Sequence, residues 1–147
     1  MPNIWKVWIK ISGQGNGLSV SRQLYKGDEA LNESAPLKVG DRITVRLTVK
    51  ADRDMDFVQI KDDRAACMEP LQAVSGFRWG NGLGYYQATK DASTQFFIDQ
   101  MRKGTYVIEY QVYVNRTGEY QAGIATVQSA YAPEFGGHTR GYRVMVE

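Results

Sequence analysis

The sequence predicts an all-β fold, a two-sheet antiparallel sandwich of about eight or nine strands. Three observations predict it: apolar residues recur at every second position, turn residues punctuate those runs, and no long segment shows a 3.6-residue apolar period. β-Branched and aromatic residues are concentrated in the alternating runs, as a pleated and half-buried surface requires.

The first run lies near the N-terminus, where Trp5, Val7, Ile9 and Ile11 fall on one side and Trp8 on the other. Gly13-Gln14-Gly15-Asn16-Gly17 then supplies residues that tolerate positive φ, suiting a hairpin turn into a second strand at Leu18–Tyr25. Because a strand and not a helix follows these glycines, a dinucleotide-phosphate cradle does not fit. The clearest run is Asp41–Lys50. Ile43, Val45, Leu47 and Val49 face one way there, and Thr44, Arg46, Thr48 and Lys50 face the other. Shorter strands are expected at Phe57–Ile60, Tyr85–Thr89, Thr94–Ile98 and Tyr120–Val127. Tyr106, Ile108, Tyr110, Val112 and Val114 share a face in a further strand, and Tyr142, Val144 and Val146 mark the last. Gly40-Asp41, Arg116-Thr117-Gly118 and Gly136-Gly137 are read as turns, and Asp62–Leu83 as the longest stretch without a strand.

Composition narrows the function classes. A chain of 147 residues suits one domain, 1–147, and its 43% hydrophobic and 23% charged residues are those of an ordinary globular protein. The net charge of +2 comes without any Lys/Arg cluster, so no nucleic-acid footprint is expected. No apolar run reaches membrane-spanning length, and no direct membrane insertion is expected. The single cysteine, Cys67, excludes an internal disulfide and a cysteine-rich metal site. Met1-Pro2-Asn3 runs directly into a strand pattern and leaves no room for a secretory signal.

The candidate sites are few. Asp52, Asp54 and Asp56 have the opening spacing of a calcium loop, but Phe57 stands where glycine is needed and Asp63 where the closing Glu belongs. A solvated turn accounts for them, and neither a metal nor a cofactor is expected. No Gly-x-Ser-x-Gly elbow occurs, and the one histidine, His138, sits in a glycine-rich segment with no marked nucleophile. A catalytic role is therefore not expected. The aromatics offer an alternative: Trp79, Tyr85 and Tyr86, around a glycine-rich loop, have the residue types of a carbohydrate-stacking platform, and otherwise fill the core. Asn32-Glu33-Ser34 and Asn115-Arg116-Thr117 are glycosylation sequons, meaningful only in a host that glycosylates them.

Four segments in order carry a family resemblance: LKVGDRITVRLTVKADRDMDFVQIKDDRAACMEP, SGFRWGNGLGYYQATKDASTQFFID, KGTYVIEYQVYVNRTGEYQAGIATVQSAYAPEF and GGHTRGYRVMVE. Together, from Leu37 to Glu147, they resemble the C-terminal domain of bacterial alpha-2-macroglobulin-like proteins. The run from Gln128 to Phe135 is the most specific piece, since sandwich physics does not demand it. The resemblance implies a macroglobulin-like or fibronectin-like sandwich, the last domain of a very large periplasmic or cell-envelope protein that traps proteases. Any signal peptide would then lie far upstream. It implies a non-catalytic role, with neighbouring domains as direct partners and proteases met only through the parent protein. The family thioester motif reads Cys-x-Glu-Gln, whereas Cys67-Met68-Glu69-Pro70 stands here, so no acyl-donating glutamine is present. Cys67 is read as a small, partly buried residue after a strand. Tyr131, Pro133, Glu134, Phe135 and His138 are the candidate interdomain contact, in a stretch too rich in Gly and Pro for a central strand.

Overall fold

The computed structural model describes residues 17–31, 36–71, 76–80, 83–90, 92–130 and 135–147, with the backbone alone for 76–80. The strand expected from Trp5 to Ile11 and most of the following glycine-rich turn lie outside these residues.

Thirteen strands and no helix occupy the described residues. They are β1 (Leu18–Lys26), β2 (Glu29–Ala30), β3 (Arg42–Ala51), β4 (Met55–Asp63), β5 (Met68–Pro70), β6 (Gly76–Gly80) and β7 (Leu83–Thr89). There follow β8 (Ser93–Met101), β9 (Gly104–Val114), β10 (Gly118–Ala122), β11 (Ala125–Ser129), β12 (Gly136–His138) and β13 (Tyr142–Val146). One sheet runs β2-β1-β3-β9-β5 and the other β12-β11-β4-β8-β7-β6, with β10-β13 as a separate pair. Every strand pairing is antiparallel, apart from an isolated parallel bridge between Leu37 and Val146.

The alternation read from the sequence builds the core. Ile43, Val45, Leu47 and Val49 of β3 are all buried, and their register partners across β9 include Ile108, Tyr110 and Val112. Val58 and Ile60 of β4 and Phe96 and Ile98 of β8 belong to the same cluster from the opposing sheet. A chain of rings crosses the interior: Tyr85 meets Phe96 edge-on at 5.7 Å, and Phe96 meets Tyr110 at 5.9 Å. Such ring pairs are worth about 0.5–1.5 kcal/mol beyond the area they bury.

Four expectations need correction. The strand count exceeds nine because short edge strands, β2, β5 and β12, carry too few residues to show a period. Tyr120–Val127 is two strands: β10 pairs with β13, and β11 with β4 and β12. The chain changes sheets at Gly123, where a Cβ would lie 2.7 Å from the Asp63 Cβ. The supposed loop Asp62–Leu83 contains β5 and β6, and β6 forms a hairpin with β7 through the pairs Phe77↔Tyr86 and Gly80↔Leu83. Gly136-Gly137 is part of β12 and not a turn, because a Cβ on Gly136 would lie 2.7 Å from the Val127 carbonyl oxygen. Only glycine lets the two backbones approach so closely.

Phe57 interrupts β4. Its φ of 55° is in the left-handed region, and the β4–β8 register passes from Asp56↔Gln100 to Val58↔Ile98 without it. The alternation changes phase there, so that Met55 and Val58 are both buried while Asp56 and Phe57 are exposed.

Candidate interaction surface

The most heavily constrained polar group lies between the sheets. In β1 the buried phase Leu18, Val20, Leu24 includes Arg22, and in β4 the phase Val58, Ile60 includes Asp62; both are 2% exposed or less. Arg22 Nη1 donates to Asp62 Oδ1 at 2.5 Å, and Tyr110 donates its hydroxyl to Asp62 Oδ2. The second guanidinium nitrogen donates to the Gly123 and Arg140 carbonyls at 2.7 and 2.8 Å, and the Tyr142 ring lies 4.7 Å from the guanidinium carbon. Burial works against the charge on Arg22, yet Asp62 with Tyr142 and Tyr110 holds its pKa above the ordinary value. Burial, then Asp62, pushes the Tyr110 phenol well up, and burial also raises that of Tyr142. The network is structural in character, and of the guanidinium nitrogens only Nε is buried without a hydrogen-bond partner among the described residues. Gly123 and Arg140 stand at the two points where the chain leaves β10 for β11 and β12 for β13, so one guanidinium ties down both crossings.

A cleft of about 470 Å³ opens on one side of the sandwich, lined by Arg42, Pro70, Tyr85, Gln87, Thr94 and Glu109 among others. Its carboxylate, Glu109, accepts a bond from Arg46 Nε at 2.5 Å. The Arg42 guanidinium, hydroxyls and amides make up the rest of its described polar lining, with no histidine or cysteine among the described lining residues.

The residues expected to matter fall in different places. Tyr131, Pro133 and Glu134 lie outside the described residues. Phe135 packs half-buried against the core at one end of the sandwich, with the Arg53 guanidinium 4.7 Å from its ring. His138 is exposed on β12, opposite Thr126. Tyr85 is buried in the ring chain, whereas Tyr86, next to it, is 36% exposed on the outer face of the six-stranded sheet. Trp79 is in β6 opposite Gly84. Phe97, which sequence reasoning did not single out, pairs with Tyr86 and is 37% exposed. The signal was present: Phe96-Phe97 puts one of two adjacent aromatics on each face of a strand.

The aspartates of the suspected calcium loop serve the β3–β4 turn. Asp52 accepts from Arg53 at 2.8 Å, and Asp54 accepts from the Lys103 amide at 2.8 Å. Among the described residues no three His, Cys, Asp or Glu side chains gather closely enough to hold a metal. Cys67 is fully buried, more deeply than expected, and burial raises its thiol pKa.

The fold, two antiparallel sheets closed around one apolar core, is that of a macroglobulin-like β-sandwich. Residues 17–134 match the family described as the bacterial alpha-2-macroglobulin MG10 domain, and the chain belongs to that family. It is 28% identical over 138 residues to "Circularly permutated Ras protein 2" of Dictyostelium discoideum, which covers 89% of this chain and 4% of that protein. It is 26% identical over 155 residues to the alpha-2-macroglobulin homolog of Nostoc, covering 92% of this chain and 8% of the relative. Among solved structures, the Salmonella alpha-2-macroglobulin mutant Y1175G superposes with a TM-score of 0.74 at 19% identity, over 88% of this chain and 9% of that one. The Escherichia coli alpha-2-macroglobulin activated by porcine elastase gives 0.74 at 16% identity, over 89% and 13%. The chain thus spans a small fraction of each relative's length.

Proposed function

We propose that this chain is a non-catalytic, contact-forming domain of a bacterial alpha-2-macroglobulin-like protease inhibitor in the periplasm or cell envelope. On this reading residues 1–147 form one sandwich at the C-terminal end of a much longer protein, and proteases are met only by the whole. The observation that carries the reading is the MG10 family match across residues 17–134. Two features support a non-catalytic role. Both terminal nitrogens of the Arg22 guanidinium are engaged in holding strands together, and the carboxylate of the side cleft is bonded to Arg46. The Dictyostelium relative, whose name is not that of a macroglobulin, fits a binding unit reused in different long proteins.

The segment Tyr131, Pro133, Glu134, Phe135 and His138 is the proposed contact with neighbouring domains. Phe135 anchors its C-terminal side against the sandwich end, and His138 offers an exposed imidazole beside it. Sequencing the gene on both sides of this stretch tests the proposal. The expected result is an upstream frame running through many more sandwich-sized segments and a stop soon after Glu147. A start codon or signal peptide immediately before Pro2 overturns it. In the longer protein, replacing Tyr131 and Phe135 with Ala is expected to increase cleavage between domains in limited proteolysis.

A further inference from the structure

The outer face of the six-stranded sheet carries a row that family membership does not account for. Tyr86 of β7 pairs with Phe97 of β8, Phe97 with Gln59 of β4, and Gln59 with Gln128 of β11. All four are exposed, whereas the preceding ring, Phe96, is fully buried. The Tyr86 and Phe97 rings lie 6.5 Å apart, tilted by 47°. The register continues past Tyr86 to Phe77 and sets Trp79 opposite Gly84. With strands about 4.8 Å apart, Tyr86 to Gln128 spans about 14 Å in a nearly straight line. No member of the row carries a charge. The nearest ionisable residues on that face are Lys61 and Asp99, two positions along their strands.

We propose that this row binds a neutral oligosaccharide lying across the strands. A pyranose ring presents a face of C–H bonds, slightly positive, which packs on the negative face of an aromatic ring. Its neighbouring hydroxyls each need a donor and an acceptor, and a glutamine amide offers both side by side. Two rings followed by two amides, without charge, suit a ligand that is apolar on its faces and hydroxylated on its rim. A protein partner suits the row less well. A stable interface buries about 800 Å² on each side around an apolar centre, and here the two rings give way to amides within one strand spacing. Nucleic acid would require cations that the row lacks. The chemistry also separates Tyr86 from Tyr85, which is committed to the core.

Calorimetric titration of the 147-residue chain with cellohexaose, laminarihexaose and N-acetylchitohexaose tests the proposal. The expected result is saturable binding of at least one of them. Phe97→Ala and Tyr86→Ala should each weaken it about tenfold or more, Phe97→Tyr should retain it, and Gln59→Ala should weaken it severalfold. Because both rings are at the surface, each variant's urea unfolding midpoint reports whether the fold is intact. Absence of binding by all three sugars at millimolar concentration overturns the proposal. So does binding that survives in a folded Tyr86→Ala/Phe97→Ala variant. Sedimentation showing a wild-type dimer that this double variant dissociates would assign the row to self-association instead.

Discussion

At Arg22 a full charge is held in the interior by one carboxylate, two carbonyls and a tyrosine ring, and removing any one partner strands the rest. Deleting half of a buried ion pair generally costs about 3–5 kcal/mol, because the remaining charge loses its compensation. Arg22→Met and Asp62→Leu are each expected to destabilise by about that amount in urea unfolding. The double variant should fall well short of their sum, since no lone charge is left behind. Arg22 stands in the apolar phase of a strand the sequence predicts, and is legible there as an anomaly. Asp62 reads from the sequence as the start of a loop, and joins the apolar phase only because β4 runs on to Asp63. Their partnership was not legible, since 40 residues separate them and only the topology brings them together. The same gap explains the aromatics. Adjacent residues of a strand face opposite ways, so Tyr85 and Tyr86 could not both line one site, but which of them faced outward depended on the register with β8.

Elements were readable where they are long and half-buried, as with β3 and β9, and unreadable where pairing alone makes them strands. β12 is two glycines and a histidine, and its only sequence justification is the close approach of the Val127 carbonyl. Gly136→Ala should therefore displace β12 from β11. Overpacking of this kind costs about 1–3 kcal/mol, read as a lower thermal midpoint and faster amide exchange at Ser129, whose amide donates to the Phe135 carbonyl. The β6–β7 hairpin was missed although Asn81-Gly82, a favoured two-residue turn pair, lies between the paired residues Gly80 and Leu83. The break in β4 makes a separate prediction. Phe57→Asn and Phe57→Val both delete the ring, but asparagine tolerates a φ of 55° and valine does not. The asparagine variant should be the more stable by about 1–2 kcal/mol in denaturant titration.

Across the whole molecule the buried network sets the response to alkali. Tyr110 and Tyr142 have pKa values raised by burial, so the folded chain keeps their protons after the unfolded chain has lost them. The unfolded state then binds fewer protons, and stability falls as pH rises. It is expected to be fully present below about pH 10, the ordinary phenol value, and to decline above it. Tyr142→Phe should flatten that decline in unfolding curves taken across the alkaline range, whatever its effect near neutrality. An unchanged slope would place the alkaline sensitivity elsewhere. The sandwich class itself was plain from alternation, but the way its sheets are joined was not. The crossings at Gly123 and between Arg140 and Gly141 are decided by which backbones can touch, and no period records that.

Arg22 has a consequence for the order in which the chain is made. Its partners lie 40, 101 and 118 positions further along, at Asp62, Gly123 and Arg140. A ribosome emits β1 first and the last of these acceptors 118 residues later. Until then the guanidinium has no complete place to go, and water remains its better host. The sandwich is thus expected to close late, in one step, with slow kinetics typical of distant pairings. A nascent chain halted before Arg140 should remain open to protease, and one in which Glu147 has cleared the ribosome should not. A charge near the start of the described fold thereby acts as a check that its final strand has arrived.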